Sequence, residues 1–405
     1  MPNIQAVTLV SRVIEKLNLK FLPTAGQPET GFVLVATLVA IAIISLGAAY
    51  FAIQVDSLRN SALHMQRWAE AEREAFAIRE SLQFAAATGT REEGGLTFGK
   101  ETLATDGRRY KLTETLSISV QDERGLLAIN TLDEKTIFRL LDSLGIPVEN
   151  QPRLVDSLLD YMDADDLRRL NGAEKADYAR ANKPPPTNDF LRTREQLQDV
   201  LGWDSLFSRL RTAGQNSNPG VESRFMDLFS IARHSGLNMN SAPAAVLYAL
   251  PGLDRAKIPA LIDQRRARAF TSVAELAPFT SGPIDSDYFG LFGANDLRVV
   301  LYKAELPFLL ECQLSITAGE SDRPTRLKMC VRRPVTVGIP SGPDEFQRAL
   351  KQDTQKPEVG QQSGSRPIAT TASSARNDLR DSPQNVDAKA PQWLAEVLYS
   401  GQPSK

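Results

Sequence analysis

Histidine and cysteine are scarce in this 405-residue chain, with two of each: His64 and His234, Cys312 and Cys330. That excludes a cysteine-rich zinc site. A histidine-based triad also has little to draw on, because His64 falls in a long helical stretch and His234 has no motif around it. A membrane-tethered hydrolase is set aside on that ground. Net charge is only −2, so the chain as a whole is no electrostatic trap for nucleic acid. One stretch lacks charge altogether. From Phe32 to Ile53 the sequence reads FVLVATLVAIAIISLGAAYFAI, and its only polar side chains are the hydroxyls of Thr37, Ser45 and Tyr50. About 20 apolar residues suffice for a helix to cross a bilayer, and inside lipid a helix satisfies its own backbone groups. A buried core helix of this length would show a polar face, and this run shows none. The reading is a membrane-embedded helix.

The flanks give orientation. Arg12, Lys16 and Lys20 stand against Glu15 and Glu29 before the run, which puts the N-terminus inside and the bulk outside. A secretory signal peptide would have a shorter apolar core with a small-residue cleavage site after it; here the small residue, Gly31, comes before. Residues 54–86 lack proline and glycine and place Leu58, Ala62, Trp68, Ala75, Ile78 and Leu82 near helical spacing. Thr88–Gly89 and Gly94–Gly95 end that pattern. The spacing predicts one helix of about 55 residues, apolar first and amphipathic after. The alternative is an anchor followed by an unrelated soluble helix.

Residues 108–129 alternate through Tyr110, Leu112, Leu116, Ile118 and Val120, a strand pattern ending at Gly125. LRVVLY, FLLECQLSI and RLKMCVRRPVTV within 297–338 look similar, so the two regions are expected to share one sheet packed on the amphipathic helix. Everything between reads as a helical insertion, and it has an internal echo. Ile129-Asn130-Thr131 precedes two helices, with Thr131 and Glu134 in capping-box spacing; Met239-Asn240-Ser241 precedes two more, with Ser241 as cap and Pro251–Gly252 as the bend. Two short helices joined by a tight glycine turn make a helix-hairpin-helix pattern. Such a module binds DNA through turn amides and basic residues, here Arg265, Arg266 and Arg268, so a membrane-anchored DNA-binding or DNA-uptake receptor is the alternative function. Against it, the turn reads PGLD, and Leu247, Leu250, Leu253, Ile258, Leu261 and Ile262 account for a plain helical core.

The stretch from Asp160 to Gln196 offers Asp160, Asp163, Asp165, Asp166, Glu174, Asp177 and Asp189, with Gly172 and a proline run. Clustered oxygen ligands on an irregular loop suit calcium, although the spacing is not that of an EF-hand. Helix capping and ion pairing with Arg168, Arg169 and Arg180 explain the same residues equally well.

Gly31–Phe32 followed by the long helix resembles the type IV pilin and pseudopilin N-terminus. The run LLDYMDADDLRRLNGAEKADY, the later LRTREQLQDVLGW and LNMNSAPAAVLYALPGL resemble the type II secretion minor pseudopilin K family over about residues 31–335. The resemblance implies an α+β fold: a pilin-like long N-terminal helix packed on an antiparallel sheet, with a large inserted α-helical domain. Residues 1–31 would be the prepilin leader, 32–53 the transmembrane half of the helix and 54–90 its amphipathic half. Residues 91–129 and 296–338 would form the two parts of the β domain, 130–295 the insert and 339–405 a disordered tail. It further implies cleavage after Gly31 by a prepilin peptidase, methylation of Phe32, and calcium in the insert, with Asp163, Asp165, Asp166, Glu174 and Asp177 as candidate ligands. Where the family usually has an acidic residue and proline, this chain reads LRRL at 167–170. The family's usual glutamate at the fifth mature position is Ala36 here. That carboxylate is thought to pair with a neighbouring subunit's terminal ammonium, so a subunit with Ala36 suits a unique place in a fibre, such as its end. The implied function is a minor pseudopilin, not an enzyme, initiating or capping the pseudopilus for export across the outer membrane. The implied setting is the bacterial inner membrane, single-pass, with a periplasmic bulk. The implied partners are I- and J-type minor pseudopilins, the peptidase, the inner-membrane secretion platform and membrane lipid, with no nucleic acid.

Cys312 and Cys330 sit equally far from Ser321 in the expected turn, which makes them cross-strand neighbours in an antiparallel hairpin. Outside the cytoplasm a disulfide is permitted; otherwise they are two small apolar thiols on one sheet face. From Ser341 the composition shifts to Ser, Gln, Asp, Lys and Pro, the signature of a disordered tail. Trp393, Leu394, Val397 and Leu398 near its end fit either one short amphipathic docking turn or a hydrophobic remnant.

Overall fold

The long helix is continuous: α1 runs from Phe32 to Thr88. The structure, a computed structural model, describes residues 32–216, 225–285, 287–304, 306, 308–317, 324–334, 388–390 and 394. It divides into two units, one up to Gln66 and one from Arg67 onward. In the first unit the described side chains of α1 are all exposed, Ile44 by 70% and Leu46 by 73%. The Thr37 hydroxyl donates back to Leu34 O at 2.8 Å, so it is satisfied within the helix.

In the second unit α1 buries Ala71, Ala75, Ile78, Leu82 and Ala85, a 4-3-4-3 spacing that keeps one face on the core. After it come β1 (Thr90–Glu92), β2 (Gly95–Phe98) and β3 (Glu101–Ala104), a small antiparallel sheet that the sequence reading missed. Gly95, read as a helix terminator, is a strand residue at φ 149, and a Cβ there would overlap the Leu103 backbone. The main sheet then begins with β4 (Asp106–Lys111) and β5 (Leu116–Asp122), and β6 (Leu127–Ala128) leads into the insert.

The insert carries α2 (Glu134–Ser143), α3 (Gln151–Met162), α4 (Lys175–Arg180), α5 (Trp203–Asn216), β7 (Phe229–Ser230), β8 (Leu237–Asn238), α6 (Ala244–Ala249), α7 (Ile258–Ala267) and β9 (Phe289–Gly290). The chain then returns to the sheet as β10 (Asp296–Lys303), β11 (Phe308–Ile316) and β12 (Thr325–Pro334). The sheet order is β12-β11-β10-β5-β4-β13, where β13 is Ala388–Lys389. Both sequence-predicted β regions therefore share one sheet, joined at the β5–β10 pair (Val120↔Val299, Ile118↔Leu301). The fold is α+β. Ile118, Val120, Val299, Cys312 and Leu314 belong to the same buried apolar cluster as the α1 face. Cys312 and Cys330 are register partners on β11 and β12 and form a disulfide.

The echo inside the insert is a structural repeat. In the first copy Asn130 holds the backbone of Leu191 with both ends of its amide, Nδ2 to Leu191 O at 2.9 Å and Leu191 N to Oδ1 at 2.8 Å. Asn240 does the same to Phe270, at 2.9 and 2.8 Å. Each copy starts with a short strand that is closed by a later parallel one, β6 with β7 and β8 with β9. Each turns between its helices at a positive-φ glycine, Gly145 at 72° and Gly252 at 83°, where a side chain would be strained. The expected caps shift. Asp133, not Thr131, caps α2 by accepting from Thr136 N at 3.1 Å. Ser241 does not cap α6, because its hydroxyl donates to Asp122 Oδ2 at 2.9 Å.

A buried ionic cluster ties insert to sheet. Arg298 on β10 grips Glu123 with two bonds at 2.9 and 3.2 Å and donates to the Phe229 and Asp227 carbonyls. Arg194 of the insert spans Asp227 at 2.9 Å and Glu311 of β11 at 2.5 Å, and Arg333 of β12 pairs with the same two carboxylates.

The expectation of a disordered tail over 339–405 is corrected at its far end. Ala388–Lys389 pairs in parallel with β4, and Leu394 is wholly buried in the apolar cluster of the sheet. The reason is physical: β4 would otherwise be an open edge of the sheet, and Leu394 adds its side chain to the apolar cluster that holds Tyr110. Residues 335–387, Trp393, Val397 and Leu398 lie outside the described residues.

Candidate functional site

The acidic loop leaves α3 at Asp163, which has an extended backbone, and regains helix at Lys175. Asp177 Oδ2 accepts from Glu174 N at 3.1 Å and so helps start α4. Between them the chain folds back on α3. Asn171 donates its backbone and side-chain N–H groups to Asp156 Oδ2, at 2.9 and 3.0 Å. Gly172 passes so near the Asp160 carboxylate that any Cβ would overlap it, which is why glycine stands there. Tyr178 is wholly buried beside Tyr161, with ring centroids 5.9 Å apart, and its hydroxyl accepts from Leu201 N at 2.9 Å.

The charges over this floor are unbalanced. Asp160 is fully buried and is covered by Arg169, whose Nη1 reaches Asp160 Oδ1 at 2.8 Å and also pairs with Asp163 Oδ2. Asp163 Oδ1 and Asn188 Oδ1 are buried with no hydrogen-bond partner, and the two Glu174 oxygens, in capping-box position over the first turn of α4, make no bond of good geometry. Burial, then the negative charges of Asp160, Asp163 and Asp166, push the Glu174 carboxyl above its ordinary range. Buried acceptors are rarely left bare. All four are oxygen acceptors, the donor type that calcium takes and zinc does not favour.

Of the five ligands chosen from sequence, Asp163 and Glu174 supply three of these orphaned oxygens. Asp166 Oδ1 accepts from Asn188 Nδ2 at 3.0 Å. Asp165 Oδ1 accepts from Leu167 N at 2.8 Å, and Asp177 Oδ1 lies 3.0 Å from Arg180 and 3.5 Å from Arg168. Capping and ion pairing therefore operate at Asp177, while the two buried oxygens of Glu174 make no bond of good geometry. Among the described residues no three acidic or histidine side chains converge tightly enough to hold one ion in this arrangement. Asp160 and Asn188 were not chosen from sequence. The available signal for Asp160 was its place on the buried face of α3 with Leu154, Val155, Leu158 and Tyr161.

The remaining sequence candidates are placed as follows. Gly31 lies outside the described residues, Phe32 opens α1, and Ala36 is exposed. The helix-hairpin-helix turn is used inside the fold. Asp254 N donates to Phe279 O at 2.9 Å, Arg265 donates to Met239 O at 2.8 Å, and Arg268 pairs with Glu275 at 2.6 Å. That leaves the turn amide at Asp254 and two of the three arginines committed to internal partners.

Comparison with known proteins gives two family matches, both described as type II secretion system (T2SS), protein K. One covers residues 115–212, from β5 of the sheet into the first copy of the repeat, and the other covers residues 237–286, in the second copy. No curated protein matches the chain in sequence. Among solved structures, one similar chain comes from the GspK–GspI–GspJ complex of the enterotoxigenic Escherichia coli type 2 secretion system. It is 14% identical, spans 70% of this chain and 100% of its own length, and has a TM-score of 0.43.

Proposed function

We propose that this chain, which belongs to the type II secretion system protein K family and is thus a minor pseudopilin, starts or caps the pseudopilus at its tip. The observation that carries the reading is α1, one helix long and apolar enough to cross a membrane that continues without a break into the spine of a folded domain. Its action is association, not catalysis. The apolar half packs among the helices of other minor pseudopilins, of I and J type, in the lipid of the inner membrane. The bulk stands in the periplasm, and the inner-membrane platform drives the growing fibre outward.

Ala36 fits the tip position. A carboxylate in an apolar bundle is tolerated only with a partner charge, and Ala36 brings none, so this position does not select a copy of the same chain as the next neighbour. The insert would then crown the fibre.

Calcium is the proposed resident of the acidic loop. Asp163, Glu174 and Asn188, with Asp160 and Asp166 beside them, are the residues that would hold it. The ion would supply the positive charge that Glu174 lacks and so fix the loop on α3.

Processing tests the assignment. The full chain is co-expressed with a prepilin peptidase and its intact mass is measured. Loss of residues 1–31 and one added methyl group on Phe32 are expected. An uncut chain would sink the pseudopilin reading.

A further inference from the structure

The outer edge of β4 and the C-terminal segment fit one another as site and ligand. Strand β4 pairs with β5 on its inner side. On its outer side Ala388 and Lys389 align in parallel with Tyr110 and Lys111. A few residues on, Leu394 is wholly buried and Ala390 is 9% exposed, both in the apolar cluster that contains Tyr110. Backbone pairing plus one buried apolar anchor is how extended peptides add to an open sheet edge.

We propose that the β4 edge is a strand-binding site, that its ligand is Ala388, Lys389, Ala390 and Leu394 of the same chain, and that docking closes the edge against pairing with other chains. The edge and the anchor pocket are thus a peptide site of defined chemistry: a short extended segment with a leucine beyond its paired residues.

Hydrogen exchange on the full-length chain in detergent tests this. The chain is compared with a variant ending at residue 387 and with Leu394→Asp. Deuterium uptake over Asp106–Lys111 is expected to quicken about tenfold or more in both, with β10 and β11 unchanged. A synthetic peptide of residues 384–398, added at millimolar concentration, is expected to restore slow uptake in the truncated chain, and the same peptide carrying Leu394→Asp is not. Unchanged uptake across β4 in either variant overturns the proposal. So does uptake that rises equally in β10 and β11, because the tail would then be a general stabiliser rather than an edge ligand. Failure of the added peptide to restore protection also overturns it.

Discussion

Arg194 and Glu311 lie 117 residues apart in sequence and meet at 2.5 Å, with side chains 8% and 1% exposed. One belongs to the insert and the other to the central part of the main sheet. Their contact, with Arg298, Arg333, Glu123 and Asp227 around it, makes the insert and the sheet one electrostatic unit. Hydrogen-bonded buried charges give that junction a direction that apolar packing alone does not.

Removing one partner should therefore be much worse than removing both. Glu311→Gln or Arg194→Met alone strands a buried charge, and each is expected to cost about 3–5 kcal/mol in denaturant unfolding. The double variant Arg194→Met/Glu311→Leu should lose clearly less than the sum. Additive losses would mean that the two side chains do not act as a pair.

The same carboxylate sets an acid limit. Burial opposes ionisation of Glu311, but the Arg298, Arg194 and Arg333 guanidiniums win and hold it down to about 2, from an ordinary 4.5. The folded state then binds fewer protons than the unfolded one, so this stabilisation is complete above about 4.5 and is lost as pH falls toward 2. Asp122 works the other way, since burial pushes its carboxyl above its ordinary range despite bonds from Asn238, Ala294, Arg124 and Ser241. Unfolding free energy measured from pH 6 to pH 2 should fall in the wild type. In Glu311→Gln it should start lower and fall less steeply over that window.

How far the sequence revealed this molecule depends on where its signals were local. The α1 helix was legible because an uncharged run and a proline-free, glycine-free stretch are properties of neighbours. The interrupted sheet was legible from alternation at 110–120 and 297–316. The repeat was half legible: Ile129-Asn130-Thr131 and Met239-Asn240-Ser241 echo one another, but the asparagines' bonds to Leu191 and Phe270 cross 61 and 30 residues and leave no local pattern. The acidic loop showed its composition and not its geometry. Asp165 and Asp177 look like Asp163 in sequence, yet local donors at Leu167 N and Glu174 N engage them, and only burial separates Glu174 from the rest. Leu394 was visible as an apolar residue in a polar tail, while the open β4 edge it covers was not, because edges exist only once a sheet is formed.

The cysteine pair offers a compartment test. Cys312 and Cys330 are 18 residues apart, a loop length for which cross-linking is worth about 3 kcal/mol. Protein exported from the cytoplasm should resist thiol labelling until reduced, then take two labels. Its unfolding free energy should drop by about 3 kcal/mol on reduction. Two labels without reductant would place the chain in a reducing compartment or leave the pair unlinked in the cell.

The acidic loop gives the sharpest test of a bound ion. If calcium satisfies the orphaned oxygens of Asp163, Glu174 and Asn188, calcium should raise the thermal midpoint of the wild-type chain, and calorimetry should give one binding event in this loop. Glu174→Gln removes the charge but keeps the shape, and should weaken binding at least tenfold, about 1.4 kcal/mol or more. Asp165→Asn, which changes a carboxylate engaged with Leu167 N, should bind within about threefold of wild type, a difference below 1 kcal/mol. Gly172→Ala forces a methyl group into the Asp160 carboxylate, so it should lower both stability without calcium and affinity for it. The contrast between Glu174 and Asp165 decides the question. Equal losses at both would mean a diffuse acidic surface attracting ions, and no loss at either would leave Arg169 as the loop's own counter-ion.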